Sequence, residues 1–143
     1  MFNVFGVILD EGATKPRRAH DSDAGFDLFS REDAVIKARS YKIFDTGVHI
    51  NILPGYVGFI KSKSGLNVKH SIVGEGVVDA GYTGSIIVKL YNHGTDDYVV
   101  MKGDKISQIV FLELPVIELR QVFEENFGVY TERGTAGFGS TGR

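Results

Sequence analysis

Three stretches of the chain carry residue types suited to phosphate chemistry. The first is the end of the chain, Arg133-Gly134-Thr135-Ala136-Gly137-Phe138-Gly139-Ser140-Thr141-Gly142-Arg143. Closely spaced glycines leave backbone N–H groups free to converge on an anion. They also let the backbone approach a ligand closely, and the two arginines offer charge-assisted bonds to phosphate. The same composition describes a loose terminus, so the tail alone leaves both readings open. The second stretch is Gly76-Val77-Val78-Asp79-Ala80-Gly81-Tyr82-Thr83-Gly84. A carboxylate such as Asp79 can position a water and accept its proton, although Asp before Ala-Gly also simply opens a turn. The third is Lys63-Ser64-Gly65-Leu66. There a hydroxyl and a backbone N–H stand at the start of a short predicted helix ending near His70, a setting that suits an anion. Lys61 and Lys63 also read as a solvated strand face.

Two further polar residues stand among apolar neighbours. Gln108 lies in the alternating run Lys105-Ile106-Ser107-Gln108-Ile109-Val110, with Ile106 and Val110 on its side. A polar residue in that position faces a site or pairs in the core. Asp27 sits in Ala24-Gly25-Phe26-Asp27-Leu28, and Asp104 reads as a turn or stabilising residue. The histidines, His20, His49, His70 and His93, are scattered without metal-ligand spacing, so no protein metal ligand is assigned.

The elements that must position these groups read as strands. Short β-like runs span Phe2–Leu9, Ala34–Lys37, Tyr41–Ile52, Tyr56–Lys61, Ser85–Asn92, Tyr98–Met101, Lys105–Leu114 and Val116–Phe123, separated by turn residues such as Leu53-Pro54-Gly55 and Lys102-Gly103-Asp104. There is no long amphipathic helix, internal repeat or linker. The pattern predicts an all-β sandwich or barrel-like domain.

Composition narrows the function classes. At 143 residues, 43% hydrophobic, the chain has the size of one ordinary domain. With no cysteine it has no disulfide, thiolate metal site or cysteine nucleophile. A net charge of −2 provides no global basic field for nucleic acid. No membrane span or signal peptide is read, and the expected location is cytoplasmic, or the host cytoplasm for a viral source.

Taken in order, Ala24–Leu28, Lys63–Leu66, Gly76–Gly84, Gly103–Gln108 and the tail resemble the five motifs of trimeric-type dUTP diphosphatases (dUTPases). Any one is a weak signal; five in order are specific. The resemblance implies a jelly-roll-like (β-clip) sandwich of short strands with at most one short helix, over residues 1–143. It makes 131–143 a mobile glycine-rich lid. The implied activity is hydrolysis of dUTP to dUMP and pyrophosphate by water attack on the α-phosphorus. That reaction keeps uracil out of DNA and supplies dUMP for thymidylate synthesis.

The same resemblance assigns roles. Asp79 orients the attacking water. Tyr82 packs under the deoxyribose and leaves no room for the 2′-hydroxyl. The backbones of Ile87 and Lys89 read uracil, and Gly76 belongs to the same motif. Ser64, Gly65 and Gln108 hold phosphate. Lys63 stands where the family usually has arginine, and it keeps the charge without the planar fork. In the lid, Phe138 stacks on uracil and Arg133 reaches the γ-phosphate, while Gly137, Gly139, Ser140 and Thr141 wrap the phosphates. Asp27 would support magnesium-bound waters or a subunit contact, a structural turn role standing beside these. Mg²⁺ would be held by substrate phosphates and waters. The assembly would be a homotrimer with sites shared between subunits. Two rivals stand beside this reading: a dCTP deaminase-like enzyme of the same fold, and a nucleotide-sensing regulatory binding module.

Overall fold

Alternation of burial along β-branched and aromatic runs decides the architecture. In Ile87–Asn92, for example, Val88, Leu90 and Asn92 point into the core while Ile87 and Tyr91 stay exposed. The computed structural model describes residues 3–128 and 131–142. In it the strands are β1 (Val7–Leu9), β2 (Gly25–Phe29), β3 (Ala34–Ile36), β4 (Tyr41–Asp45), β5 (Val48–Ile50) and β6 (Tyr56–Lys61). One helix follows, α1 (Ser64–His70), and then β7 (Ile72–Val73), β8 (Gly76–Asp79), β9 (Ile87–Asn92), β10 (Tyr98–Val100) and β11 (Lys105–Glu113). A short 3-10 turn covers Glu124–Asn126. The fold is all-β, as expected.

Every strand pair is antiparallel. Four strands form the sheet β2-β11-β6-β8, three form β4-β9-β7, and β1-β5 and β10-β3 pair as ribbons. Leu28, Ile36, Phe44, Ile72, Val88, Leu90, Ile106 and Ile109 meet in one core between them. Buried Asn92 is fully used there: its amide donates to the carbonyls of Ile36 and Asp96, each at 2.9 Å, and its carbonyl accepts from Gly94 N–H. Polar groups so satisfied fix one register without the cost of an orphaned donor.

The structure corrects several predicted boundaries. The run Tyr41–Ile52 is not one strand; it breaks at Thr46-Gly47, where Gly47 takes φ +67°. The break lets Thr46 Oγ1 donate to the Ile86 carbonyl at 2.6 Å. Val116–Phe123 is not a strand. Leu114 N–H still bonds Gly55 O, but beyond it no described strand pairs, and Val116, Leu119 and Phe123 stand exposed. An apolar pattern needs a partner edge that this stretch lacks among the described residues. Phe2, which opens the first predicted strand, lies outside the described residues; β1 covers Val7–Leu9. Strands β2, β7 and β8 are additional to the predicted runs: β7 is only two residues long, and β2 and β8 each carry Gly and Asp. In β11 the pairing register shifts between Lys105 and Ser107, so Ile106 joins Ile109 in the core instead of keeping to the Gln108 side.

Candidate functional site

Seven of the predicted residues, Asp27, Lys63, Ser64, Gln108, Asp79, Tyr82 and Ile87, line two clefts that share no lining residue. The first, of about 280 Å³, is polar and lies over β2, β11 and the start of α1. Its floor is set by register, since Asp27 of β2 stands directly opposite Gln108 of β11. The Asp27 side chain is only 6% exposed and meets Lys63 Nζ at 2.5 Å and Lys105 Nζ at 3.5 Å. Asp27 thus sits mid-strand, which removes its turn role. Two ammonium groups, Lys63 and Lys105, thus stand in a lining that also holds Asp23 and Asp27, with Asp27 paired to both lysines. Lys63 is held at the cleft wall and is not a freely solvated residue, whereas Lys61 points to Glu75 at 2.8 Å.

Gln108 Nε2 donates to the Ser62 carbonyl at 2.9 Å, which ties β11 to the segment entering α1. Gly25 makes room for this: a Cβ there would fall inside the Gln108 side chain. Ser64 opens α1 and lines the cleft, with Gly65 beside it in open space. First-turn N–H groups of a helix have no intrahelical partner, and the first turn itself carries no acidic residue. This cleft can therefore take an anion with several oxygens. Asp104 accepts from Met101 N–H at 2.8 Å and serves the turn before β11.

The second cleft, of about 230 Å³, is lined by Val77, Val78, Asp79, Tyr82, Ile86 and Ile87. It opens between two strand edges. β8 pairs with β6 on one side only. β9 pairs with β4 as far as Ile87, but with β7 only at Tyr91 and Asn92. The backbone from Ile87 to Lys89 therefore presents an edge with hydrogen-bonding capacity. The Lys89 side chain is turned elsewhere, with its Nζ over the Tyr41 ring at 4.2 Å. Gly76 lies opposite Ile60, at the far end of β8 from Asp79.

Asp79 ends β8 exposed, and its carbonyl accepts from Tyr82 N–H at 3.2 Å across a turn in which Gly81 has φ +83°. The Tyr82 hydroxyl donates back to the Ser85 carbonyl at 2.8 Å. Gly84 is required by this posture, because a Cβ there would lie inside the Tyr82 ring. Beneath the turn, Ser85 Oγ donates to Asp45 Oδ1, and Asp45 also accepts from Gly47 N–H at 3.0 Å. The Ser85 bond, then the Gly47 bond, hold the Asp45 carboxyl below the usual carboxylate range, with Arg31 adding to them.

The tail residues Arg133, Gly137, Phe138, Gly139, Ser140 and Thr141 line neither cleft. Between 131 and 142 the tail forms turns within itself, such as Arg133 Nε donating to Ala136 O at 2.9 Å, and Phe138 is fully exposed. Arg143 lies outside the described residues. Sequence reasoning missed Lys105 and the packing roles of Gly25 and Gly84. Both glycines lie inside motifs singled out above, but nothing in the sequence shows which side chain would occupy their missing Cβ.

Comparison with known proteins bears on this geometry. The family model for dUTPase matches residues 11–142. The deoxyuridine 5′-triphosphate nucleotidohydrolase of Mus musculus is 41% identical over 140 residues, covering 96% of this chain and 83% of the mouse protein. That of Debaryomyces hansenii is 39% identical over 137 residues, covering 95% of this chain and 85% of the yeast protein. Among solved structures, the Staphylococcus bacteriophage 80alpha dUTPase with dUPNHPP superimposes with a TM-score of 0.91 at 32% identity, over 99% of this chain and 100% of the phage chain. A mutant dUTPase from phage phi11 of S. aureus, with a coordinated structural Mg(II) ion, gives 0.79 at 31% identity over 85% of this chain and 99% of that one.

Proposed function

The chain belongs to the dUTPase family and hydrolyses dUTP, and we propose that it does so in a site completed between chains, the nucleoside on the cleft between β8 and β9 of one and the phosphates on the polar cleft of another. The observation that carries this is the separation of the two clefts. Asp79, Tyr82 and Ile87 line one, and Asp27, Lys63, Ser64 and Gln108 line the other. A closed homotrimer would bring unlike surfaces of neighbouring chains together at each site.

On this reading uracil enters between the free edges of β8 and β9. The backbones of Ile87 and Lys89 bond its polar rim, and the narrow cleft rejects a 5-methyl group. Tyr82, braced by Ser85 and Gly84, sits under the deoxyribose and excludes a 2′-hydroxyl. Asp79 holds a water toward the α-phosphorus and takes its proton as the oxygen bonds to phosphorus. The bond to the bridging oxygen breaks, and pyrophosphate leaves. Lys63, Ser64, Gly65 and Gln108 hold phosphate oxygens, and Asp27 keeps Lys63 in place. The tail closes over the complex with Phe138 on the base, Arg133 on the terminal phosphate and Gly137, Gly139, Ser140 and Thr141 around the chain of phosphates; closure keeps out other water.

Among the described residues no group of three or more His, Asp or Glu forms a metal cage. The polar cleft fits a Mg²⁺ that arrives on the triphosphate, with Asp23 and Asp27 in its lining as carboxylates for the ion's waters. Bound so, the ion would offset charge building on the leaving pyrophosphate.

The test is pyrophosphate release with Mg²⁺ from dUTP, UTP, dCTP and dTTP. The expected result is turnover of dUTP exceeding each of the others by about 100-fold or more. Equal turnover of UTP would remove the Tyr82 assignment, and ammonia release from dCTP would favour the deaminase reading, which the comparisons do not support.

A further inference from the structure

Below the turn that carries Tyr82, one histidine is held between two acceptors. His49 of β5 has its Nδ1 at 2.7 Å from the Thr83 carbonyl and its Nε2 at 3.0 Å from Asp10 Oδ1. A carbonyl and an ionised carboxylate only accept, so both bonds form together only when the ring carries both protons. The contacts reach across the fold: Asp10 follows β1, His49 lies on the strand paired with it, and Thr83 stands in the turn between Asp79 and Ser85. His49, Asp10 and Thr83 line a common cleft of about 450 Å³ with Ile8 and Asn51.

Two carboxylates bear on the ring. Asp10 faces it from the end of β1 and Asp45 from the end of β4, the latter partly offset by Arg31 at 3.3 Å; the turn contributes a carbonyl. The Thr83 bond first, then Asp10, raise the pKa of His49 above the ordinary histidine value. Tyr82 is the neighbour of Thr83 in the chain, and its hydroxyl is anchored on the other side of that residue, at Ser85. A shift of the Thr83 carbonyl therefore moves the ring that abuts the sugar.

We propose that His49, as imidazolium bridging Asp10 and the Thr83 carbonyl, is a positioning residue that sets the discrimination between deoxyribose and ribose. The proposal rests on the placement of the nucleoside beside Tyr82. The sign follows from the bonds. The cationic ring makes both contacts, so the clamp is complete below the ordinary histidine pKa. It is lost as pH rises through the elevated value in the folded protein, when the neutral ring keeps one N–H and gives up one bond. Selectivity then loosens toward alkaline pH.

The test has two arms on the full-length protein. In the first, NMR titration of the histidine ring signals, with His49 assigned from the His49→Gln variant, is expected to place His49 above the ordinary value. Asp10→Asn is expected to move it back down. In the second, the ratio of kcat/KM for UTP to that for dUTP is followed from pH 5.5 to 8.5. A ratio cancels every ionisation that both substrates share, that of the triphosphate included. In the wild type it should rise about 2- to 10-fold across the His49 titration, the range one hydrogen bond supplies. In His49→Gln it should be flat at the high value. A purely structural role would leave the ratio unmoved by pH. His49 titrating at or below the ordinary value, or a wild-type ratio flat with pH, overturns the proposal. Asp10→Asn serves should His49→Gln fail to fold, since Asp10 is exposed. A chain that hydrolyses nothing would remove the functional assignment, and the titration would still decide the clamp.

Discussion

Asp79→Asn should lower kcat for dUTP by about 100- to 10,000-fold, the span general-base removal produces, while binding of a non-hydrolysable dUTP analogue stays within about threefold. The structure separates these effects. Asp79 stands exposed at the end of β8, and its main-chain carbonyl, which the substitution retains, anchors Tyr82 N–H. Asparagine preserves the shape of the turn and removes the group that accepts the proton of water. Single-turnover kinetics beside a direct binding measurement reads the two quantities apart. A loss of binding equal to the loss of rate would recast Asp79 as a ligand-holding residue.

Ending the chain before Thr131 is the second large change. It should lower kcat/KM for dUTP by about 100-fold or more, because the stacking ring, the terminal-phosphate arginine and the barrier to bulk water go together. Thermal unfolding should be almost unmoved. The described hydrogen bonds of 131–142 run within the tail, and Phe138 contributes nothing to the core. Calorimetry and steady-state kinetics on the same truncated protein check both halves. Undiminished activity would reduce the tail to an appendage; a large fall in unfolding temperature would make it part of the fold.

Much of this fold and site is legible in the sequence. The all-β class follows from β-branched runs cut by Gly and Pro, and the short helix expected around Ser64-Gly65-Leu66 with its end near His70 is α1, Ser64–His70. β6 matches its predicted span from Tyr56 to Lys61. What the pattern could not carry was pairing. Val116–Phe123 has the apolar content of a strand and no partner edge among the described residues, while β2 and β8 have partners and poor strand composition. Local propensity yields to tertiary pairing in both cases. The site shows the same division. Asp79, Tyr82, Ser64 and Gln108 are recognisable by type and order. That Gly25 exists to clear Gln108, that Gly84 clears Tyr82, and that Lys105 joins Lys63 on Asp27 are facts of register, set by strands distant in sequence.

The sharing of the site between chains is tested most directly by complementation. Asp79→Asn and Gln108→Ala proteins, each inactive in its own cleft, are unfolded together in equal amounts, refolded and assayed for pyrophosphate release from dUTP. Random assembly puts an intact β8–β9 cleft against an intact polar cleft in about one site of four when neighbouring chains supply them. The mixture should therefore recover about a quarter of wild-type activity. A mixture no more active than its parents would mean that both clefts of one chain serve the same nucleotide, and would contradict the shared site.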